Sequence, residues 1–410
     1  MTNRLYYHDS FLYSFEAKVL DVVPPADTAG HAAVILDQTA FYPTSGGQIF
    51  DTGSMETLGG QKLRVNQVEE REGGDIQHFV DGQVSLEKGT RIRGVVDAER
   101  RRDHMQQHSG QHVLSAAFVH LFQMPTASFH MGADSCSIDL DTKSLSATQV
   151  EAAENLANEI VMENRKVGIR FATQEEARGL GLRKLPVVDK DELRLIDIRD
   201  FDLTACGGTH VASTGQIGSI LLRKTEKAKQ GWRVEFVCGK RAIASARKDY
   251  SVLAESGGLL SSHLWEVPQQ IRKSQEEARA SRKVREQLQE ELADAHAAAL
   301  LAETEDHGGK KIVVRVFVER DLNSIKLLGQ RLTRRGVNVV ALLAAMSGTP
   351  ALVFAASPGQ AFDMNALMKE TLARLGGRGG GSKDMAQGGP EKSEMIPGVL
   401  AELAAKIQGQ

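Results

Sequence analysis

The sequence predicts a multidomain α+β protein: an N-terminal β-barrel, an α+β domain, a helical linker and a C-terminal α/β domain. Three observations carry this. The chain has 410 residues, which at roughly 100–200 residues per domain suggests two to four of them. Its hydrophobic period changes along the chain, from strict alternation before residue 96 to helical spacing after it. Its composition, 41% hydrophobic and 25% charged, is that of a folded protein and excludes global disorder. A net charge of −3 excludes adhesion to nucleic acid through bulk charge, so any RNA contact must come from local basic patches.

Residues 1–96 make the barrel. SFEAKVLDVV, AAVILDQTAF, KLRVNQVEE, IQHFV and TRIRGVVDAE alternate apolar and polar residues between Gly, Asp and Pro turn signals, as the short strands of a closed or half-open barrel do. Residues 97–250 form the α+β domain. MQQHSGQHVLSAAFVHLF has apolar and small residues at helical spacing, and SATQVEAAENLANEIVMENR is a second amphipathic helix entered through a Ser or Thr cap. SCSIDLD, VGIRFAT, LRLIDI, IGSILLRKTEKA and WRVEFVCG supply an antiparallel sheet. Residues 251–308 are the linker. From Glu266 to Asp306 the chain is charged and lacks glycine, Pro268 suits a first helical turn, and Ile271, Val284, Leu288 and Leu292 make a broken apolar stripe. This segment reads as a helix or a hairpin, and it or the C-terminal domain is a candidate homodimer contact. Residues 309–410 alternate KKIVVRVFV, the helix LNSIKLLGQRLTRR, VNVVALLAAM, ALVFAAS, the helix MNALMKETLARL, the loop GGRGGGSKDMAQGG and a last helix, the order of a small α/β domain.

Three cysteines, Cys136, Cys206 and Cys238, are too few and odd in number for a disulfide framework and point to a reducing compartment. The N-terminus has no basic start followed by an apolar core, and no apolar run is long enough to cross a bilayer. A cytoplasmic protein without a membrane partner is expected.

The stretch DHMQQHSGQH places His104, His108 and His112 four residues apart, on one face of a helix. HxxxH alone is a weak metal signal. ACGGTH adds a second pair, Cys206 and His210, and one thiolate with three imidazoles is a complete, borderline-soft ligand set for Zn²⁺. Gly207 and Gly208 let a tight loop turn both side chains toward one point. Such an ion either staples two elements together or keeps a position open to water or substrate; Cys206 by itself reads equally as a buried small hydrophobe. His104 is read as an orienting residue, an RNA-facing residue or the first turn of the helix rather than a ligand, and Cys136 and Cys238 as core. A zinc protease of the HExxH type would carry its general base where Ser109 stands, which disfavours peptide hydrolysis and leaves a more labile ester open.

Together, HSGQHVLSAAF and ACGGTHVASTGQIG resemble the editing domain of alanyl-tRNA synthetases and of the free-standing alanyl-tRNA editing proteins. FYPTSGGQIFDTG is similar to the glycine-rich segment of the barrel before that domain, and GGRGGGSKDMAQGG to the synthetases' C-terminal glycine-rich domain; the linker matches by character alone. The resemblance implies zinc-dependent hydrolysis, in trans, of the ester joining a wrong amino acid, chiefly serine and also glycine, to tRNA(Ala). A pocket for alanine cannot strongly reject one added hydroxyl or one lost methyl, differences worth about 1–3 kcal/mol, so a second site must remove the errors. By the family pattern His108, His112, Cys206 and His210 are the catalytic zinc ligands. Thr126, Ser128 and His130 fall where the family lines its amino-acid pocket, and Gln111 lies near the ligands. Taken singly, these four read equally as a polar strand face and an exposed helix glutamine. Arg378 and Lys383 are the RNA-binding candidates in the glycine loop, which lacks the order of a nucleotide-binding P-loop. ERRR before Asp103 and RKTEKAK after Leu222 either track phosphates or are solvated surface. The family commonly has threonine after the first histidine, so Ser109 is expected to alter packing rather than chemistry. A synthetase needs an aminoacylation domain ahead of the barrel, and here the barrel begins almost at Met1, so no charging of tRNA is expected.

Two other functions compete. One is a non-catalytic RNA-binding protein on the same scaffold. The other is a phosphoesterase, since similar C-terminal domains accompany DHH-type phosphatases; it is disfavoured because Asp103-His104 is followed by Met105.

Overall fold

A computed structural model describes residues 1–24, 31–81, 84–183 and 192–409. They fall into two compact units, Met1–Glu255 and Ser256–Gln410. The first unit opens with a short strand pair, Asn3–Arg4 with Gln38–Thr39, and six barrel strands: β1 (Ser14–Val23), β2 (Ala32–Leu36), β3 (Gly53–Thr57), β4 (Lys62–Glu70), β5 (Ile76–Val80) and β6 (Arg91–Val96). They close in the order β1-β2-β5-β4-β3-β6, so the barrel is fully closed and presents no free edge. Alternation does what it should: along β6 every second residue is buried, and Phe15, Val19, Val34, Phe41, Met55, Val65 and Val80 meet inside. Strand β3 escaped the sequence reading because Met55 is its single fully buried position, which leaves almost no period to read.

The central helix α1 (Ala98–Phe122) is entered through Asp97, whose side chain accepts from the backbone N–H groups of Glu99 and Arg100. Every residue from Gln107 to Phe118 is buried, so this helix forms the core of the unit rather than one of its faces. Gly110 is required where it stands, because a Cβ there would collide with the Cys238 sulfur. Around α1 come β7 (Thr126–Met131), β8 (Cys136–Leu140), α2 (Ala147–Met162) with a Ser146 capping box, β9 (Val167–Thr173), α3 (Gln174–Gly179), β10 (Glu192–Ile198), β11 (Asp202–Ala205), β12 (Ile220–Ala228) and β13 (Gly231–Cys238). The single expected sheet is in fact two: a four-stranded one ordered β12-β13-β8-β7 and a three-stranded one ordered β9-β10-β11. Cys136 and Cys238 are both buried core residues.

The ERRR run is mostly not a phosphate track. Arg101 is fully buried and pairs with Asp51 of the barrel, and Arg100 donates to the Phe50 carbonyl at 3.0 Å. His104 is neither RNA-facing nor in the first turn: it is the seventh residue of α1, 1% exposed, with Nδ1 3.9 Å from Asp51.

Helix α4 (Gly239–Leu259) went unseen in the sequence, and the expected boundary at 250/251 falls inside it. In the second unit α5 (Val267–Glu303) is one continuous helix of 37 residues with Pro268 in its first turn, not a hairpin. Its stripe residues Ile271, Val284, Leu288 and Leu292 are exposed. The rest comprises β14 (Lys310–Phe317), α6 (Leu322–Arg335), β15 (Val339–Ala345), β16 (Ala351–Ala356), α7 (Met364–Leu375), β17 (Arg378–Gly381), β18 (Met385–Gly389) and α8 (Ile396–Gln408). With the short pair Asp306–His307, its strands make one sheet ordered Asp306–His307, β14, β15, β16, β18, β17.

The glycine run read as a loop is therefore a β-hairpin, β17–β18, at the sheet edge. Its glycines are demanded by crowding: a Cβ at Gly379 or Gly388 would strike Leu372 of α7. Arg378 and Lys383 are both exposed on this hairpin, Arg378 in β17 and Lys383 in the turn. No described helix is long and apolar enough to cross a membrane.

Candidate metal centre and adjoining groove

Two local segments converge. On α1, His108 and His112 are one turn apart and their rings meet edge to face with centroids 5.1 Å apart. The loop after β11 brings Cys206 and His210 against them. Cys206 Sγ lies 3.5 Å from His108 Nε2 and 3.4 Å from His210 Nε2, and one ligand atom from each of the four residues falls within 4.8 Å of every other. A tetrahedral zinc ion with bonds of about 2.0–2.3 Å separates its donor atoms by roughly 3.3–3.7 Å; the two distances from the Cys206 sulfur fall in that range, and the four residues suit the ion in donor type.

Two of the three imidazoles are hydrogen-bonded from behind through Nδ1, and the third, His112, faces a carboxylate there without a hydrogen bond. His108 Nδ1 lies 2.7 Å from Gln48 Oε1, His210 Nδ1 3.1 Å from Ser109 Oγ, and His112 Nδ1 3.7 Å from Asp202 Oδ2. Outer partners of this kind set ring orientation and tautomer. Asp202 is itself gripped by Arg183 through two hydrogen bonds of 2.7 and 3.1 Å. Arg194 of β10 clamps the Cys206 loop by donating to the carbonyls of Cys206 (2.6 Å) and Gly208 (2.9 Å). Gly208 must be glycine, since a Cβ would run into the His108 ring.

The electrostatics favour a thiolate among imidazoles. Burial pushes the Cys206 thiol up, but His108 and His210 outweigh it and hold the group well below its ordinary value. Burial, reinforced by His108, holds His210 well down. Burial also opposes ionisation of Asp202, yet His112 and Arg183 bring its carboxyl below the usual range, and against the pull of burial Asp202 and Cys206 raise His112.

Beside the four residues opens a groove of about 380 Å³ lined by His108, His112 and Cys206 together with Tyr42, Gln111, Thr126, Ser128, Phe129 and Arg183, among others. Gln111 is not an exposed helix glutamine: it is 6% exposed and donates to Ser115 Oγ at 2.8 Å, which also accepts from Thr126 Oγ1 at 2.7 Å. Ser128 Oγ donates to Asp139 at 2.8 Å. His130 is exposed and lies off the groove lining. There the barrel's turn covers the strand, with Met131 N donating to Gly47 O at 3.0 Å. Ser109 turns its hydroxyl inward, onto His210 and the Val211 N–H (3.1 Å).

Sequence reasoning missed Gln48, Phe129, Arg183, Arg194 and Asp202. Phe129 stacks on His108 at 5.3 Å between ring centroids. A Gly-Gly dipeptide just before Gln48 was the one available signal, since it marks a tight turn that aims the next side chain.

Residues 5–100 match the class II (A) tRNA synthetase family, 193–235 the threonyl and alanyl tRNA synthetase second additional domain, and 308–409 the DHHA1 domain. The alanyl-tRNA editing protein AlaX-L of Pyrococcus horikoshii is 31% identical over 417 residues, covering 100% of both chains. This chain belongs to the alanyl-tRNA editing protein family. Alanine–tRNA ligases of Pyrococcus abyssi and Pyrococcus furiosus are 34% and 33% identical across 94% of this chain. The chain spans 42% of the length of either ligase. The solved C-Ala domain of Aquifex aeolicus alanyl-tRNA synthetase covers 25% of this chain at 24% identity and TM-score 0.24, a likeness too partial to bear on the fold.

Proposed function

We propose that this editing-family chain is a zinc-dependent deacylase that acts in trans on mischarged tRNA(Ala), hydrolysing the ester of serine chiefly and of glycine as well, without aminoacylation activity. The observation that carries the reading is the groove itself. Three of the four metal-competent side chains form part of its lining, and Thr126, Ser128 and Gln111 line the same groove. Such a lining can hydrogen-bond a seryl hydroxyl, and a site built to do so penalises the analogue that lacks it.

His108, His112, Cys206 and His210 would hold the zinc, and the chemistry it supplies when bound is orientation of the aminoacyl group or polarisation of the attacking water. The chain's own residues do the rest. Phe129 and Tyr42 line the groove, Arg183 fixes Asp202 behind His112, and Arg194 holds the carbonyls on either side of Gly207 so that the thiolate points inward. The barrel (1–96) and the α+β region (97–250) together serve editing, and α5 links them to an RNA-binding domain (309–410) in which Arg378 and Lys383 meet phosphates. A homodimer through α5 or that domain, in the cytoplasm, completes the proposal.

The test is deacylation of the seryl, glycyl and alanyl esters of one tRNA(Ala), before and after chelation and with Cys206→Ala. Hydrolysis of the seryl ester well above the alanyl one, lost in both treatments, is expected. Equal rates on serine and alanine, or full activity in Cys206→Ala, would overturn the reading.

A further inference from the structure

We propose that Gln48, supplied by the barrel, is a positioning residue of the metal centre: its side-chain oxygen fixes the His108 tautomer that leaves Nε2 free to bind a cation. The inference rests on reading the four residues as a metal site.

Gln48 follows the pair Gly46-Gly47, whose φ angles are +58° and +87°. Ser45 and Gln48 exchange two backbone hydrogen bonds of 3.0 Å across them, the geometry of a two-residue hairpin turn in which both central residues need positive φ. A Cβ at Gly47 would press on the Phe129 carbonyl and ring, so the turn lies directly on the strand beside the groove. This delivers the Gln48 side chain, 0% exposed, beneath His108.

Its orientation is forced. One side-chain atom lies 3.1 Å from the Thr209 backbone N–H, which can only donate, so that atom is Oε1. The opposite atom is Nε2, and it donates to Thr209 Oγ1 at 2.9 Å. Oε1 also sits 2.7 Å from His108 Nδ1. An amide oxygen only accepts, so Nδ1 carries the proton and Nε2, 3.5 Å from the Cys206 sulfur, keeps its lone pair for a ligand. One glutamine thus ties the barrel turn, the first histidine of α1 and the loop of Cys206 and His210 into a single arrangement. Water cannot take its place without room, and the backbone of Gly208 already packs against both His108 and Gln48.

The test begins with the wild-type protein. Long-range ¹H–¹⁵N NMR of the metal-free chain should show His108 as the Nδ1–H tautomer; Nε2–H would overturn the proposal. Zn²⁺ affinity, measured by competition with a chromophoric chelator, and the visible spectrum of the Co²⁺-loaded protein are then compared across variants. Gln48→Met matches the length and removes the acceptor, and should bind Zn²⁺ about 10–100-fold more weakly with an altered Co²⁺ spectrum. Gln48→Glu keeps the acceptor and should stay within about threefold of wild type. Wild-type affinity in Gln48→Met, or an equal loss in Gln48→Glu, would overturn the proposal. Failure of the metal reading itself shows differently: wild type and Cys206→Ala would then bind Zn²⁺ alike.

Discussion

Replacing Arg101 with methionine should destabilise the first unit by about 4–5 kcal/mol. Arg101 and Asp51 are both 0% exposed. The guanidinium reaches Asp51 Oδ2 from Nε at 3.0 Å and also serves the carbonyls of Ser10 (2.8 Å) and Ala40. Without it, the Asp51 carboxylate keeps one donor, the Tyr42 N–H at 2.7 Å. A buried carboxylate left without its charged partner costs about 4 kcal/mol. Two carbonyls without their donor add about 1 kcal/mol, partly relieved by local shifts.

Urea unfolding is the assay. The chain has two tryptophans, Trp232 in the first unit and Trp265 in the second, so a Trp265→Phe background makes fluorescence report the first unit alone. With a slope of about 2–3 kcal/mol per molar urea, the midpoint should fall by about 1.5–2 M at pH 7. A loss under about 1 kcal/mol would refute the reasoning.

Three further outcomes follow. His78 is buried in the barrel between Thr39 Oγ1 and the Val34 carbonyl, and burial pulls its pKa down to about 4. As pH falls from about 6.5 the unfolded chain takes up a proton that the fold refuses, so stability falls until about pH 4. The wild type should lose about 2 kcal/mol more than His78→Gln between pH 7 and pH 5 in the same urea assay, and parallel pH profiles would contradict this. Thr126→Val keeps the shape of the groove wall and removes a hydroxyl, so preference for the seryl over the alanyl ester should drop about tenfold with Zn²⁺ content unchanged; an undiminished ratio of deacylation rates removes Thr126 from recognition. A second cavity of about 720 Å³, lined by Lys227 of β12 and Lys229 of the β12–β13 turn, shares Ala127 and Ser128 with the groove. The double change of Lys227 and Lys229 to Glu should raise KM for acylated tRNA about tenfold at low salt without altering amino-acid preference, and an unchanged KM would exclude this path for the RNA.

What the sequence disclosed was whatever is local and periodic. Helices α1 and α2 and five of the six barrel strands announce themselves through spacing, and the four candidate ligand residues come as two pairs, each four residues apart, so each pair can be recognised without knowing the fold. The partners that hold those ligands have no such signature. Gln48, Asp202 and Arg194 arrive singly from a turn, a strand start and a strand interior, and their roles exist only once long-range packing has brought them together. Glycine misled in a different way. The run from Gly376 to Gly389 resembles a flexible loop because the usual strand signal is a β-branched side chain, whereas here Leu372 of α7 packs so close on the hairpin that a side chain is excluded at Gly379 and Gly388.

The Asp51 and Gln48 contacts belong to one device. On α1, Arg101 and His108 are seven residues apart, which is about 10.5 Å of helix at 1.5 Å per residue. On the barrel side, Gln48 and Asp51 are three residues apart, and three near-extended residues span about 10 Å. That segment runs back along its own hairpin, with Asp51 N donating to Tyr42 O at 3.0 Å, so its length is fixed. The barrel therefore grips α1 at two points with matched spacing: one point is a buried ion pair that sets stability, and the other reaches the ring of the first candidate ligand. A glycine inserted between Ile49 and Phe50 adds about 3.4 Å to one side of this match, and both contacts cannot then be kept. Either the urea midpoint falls as it does in Arg101→Met or Zn²⁺ affinity falls as it does in Gln48→Met; an insertion that leaves both unchanged would show that the two contacts act independently and that the barrel does not set the position of His108.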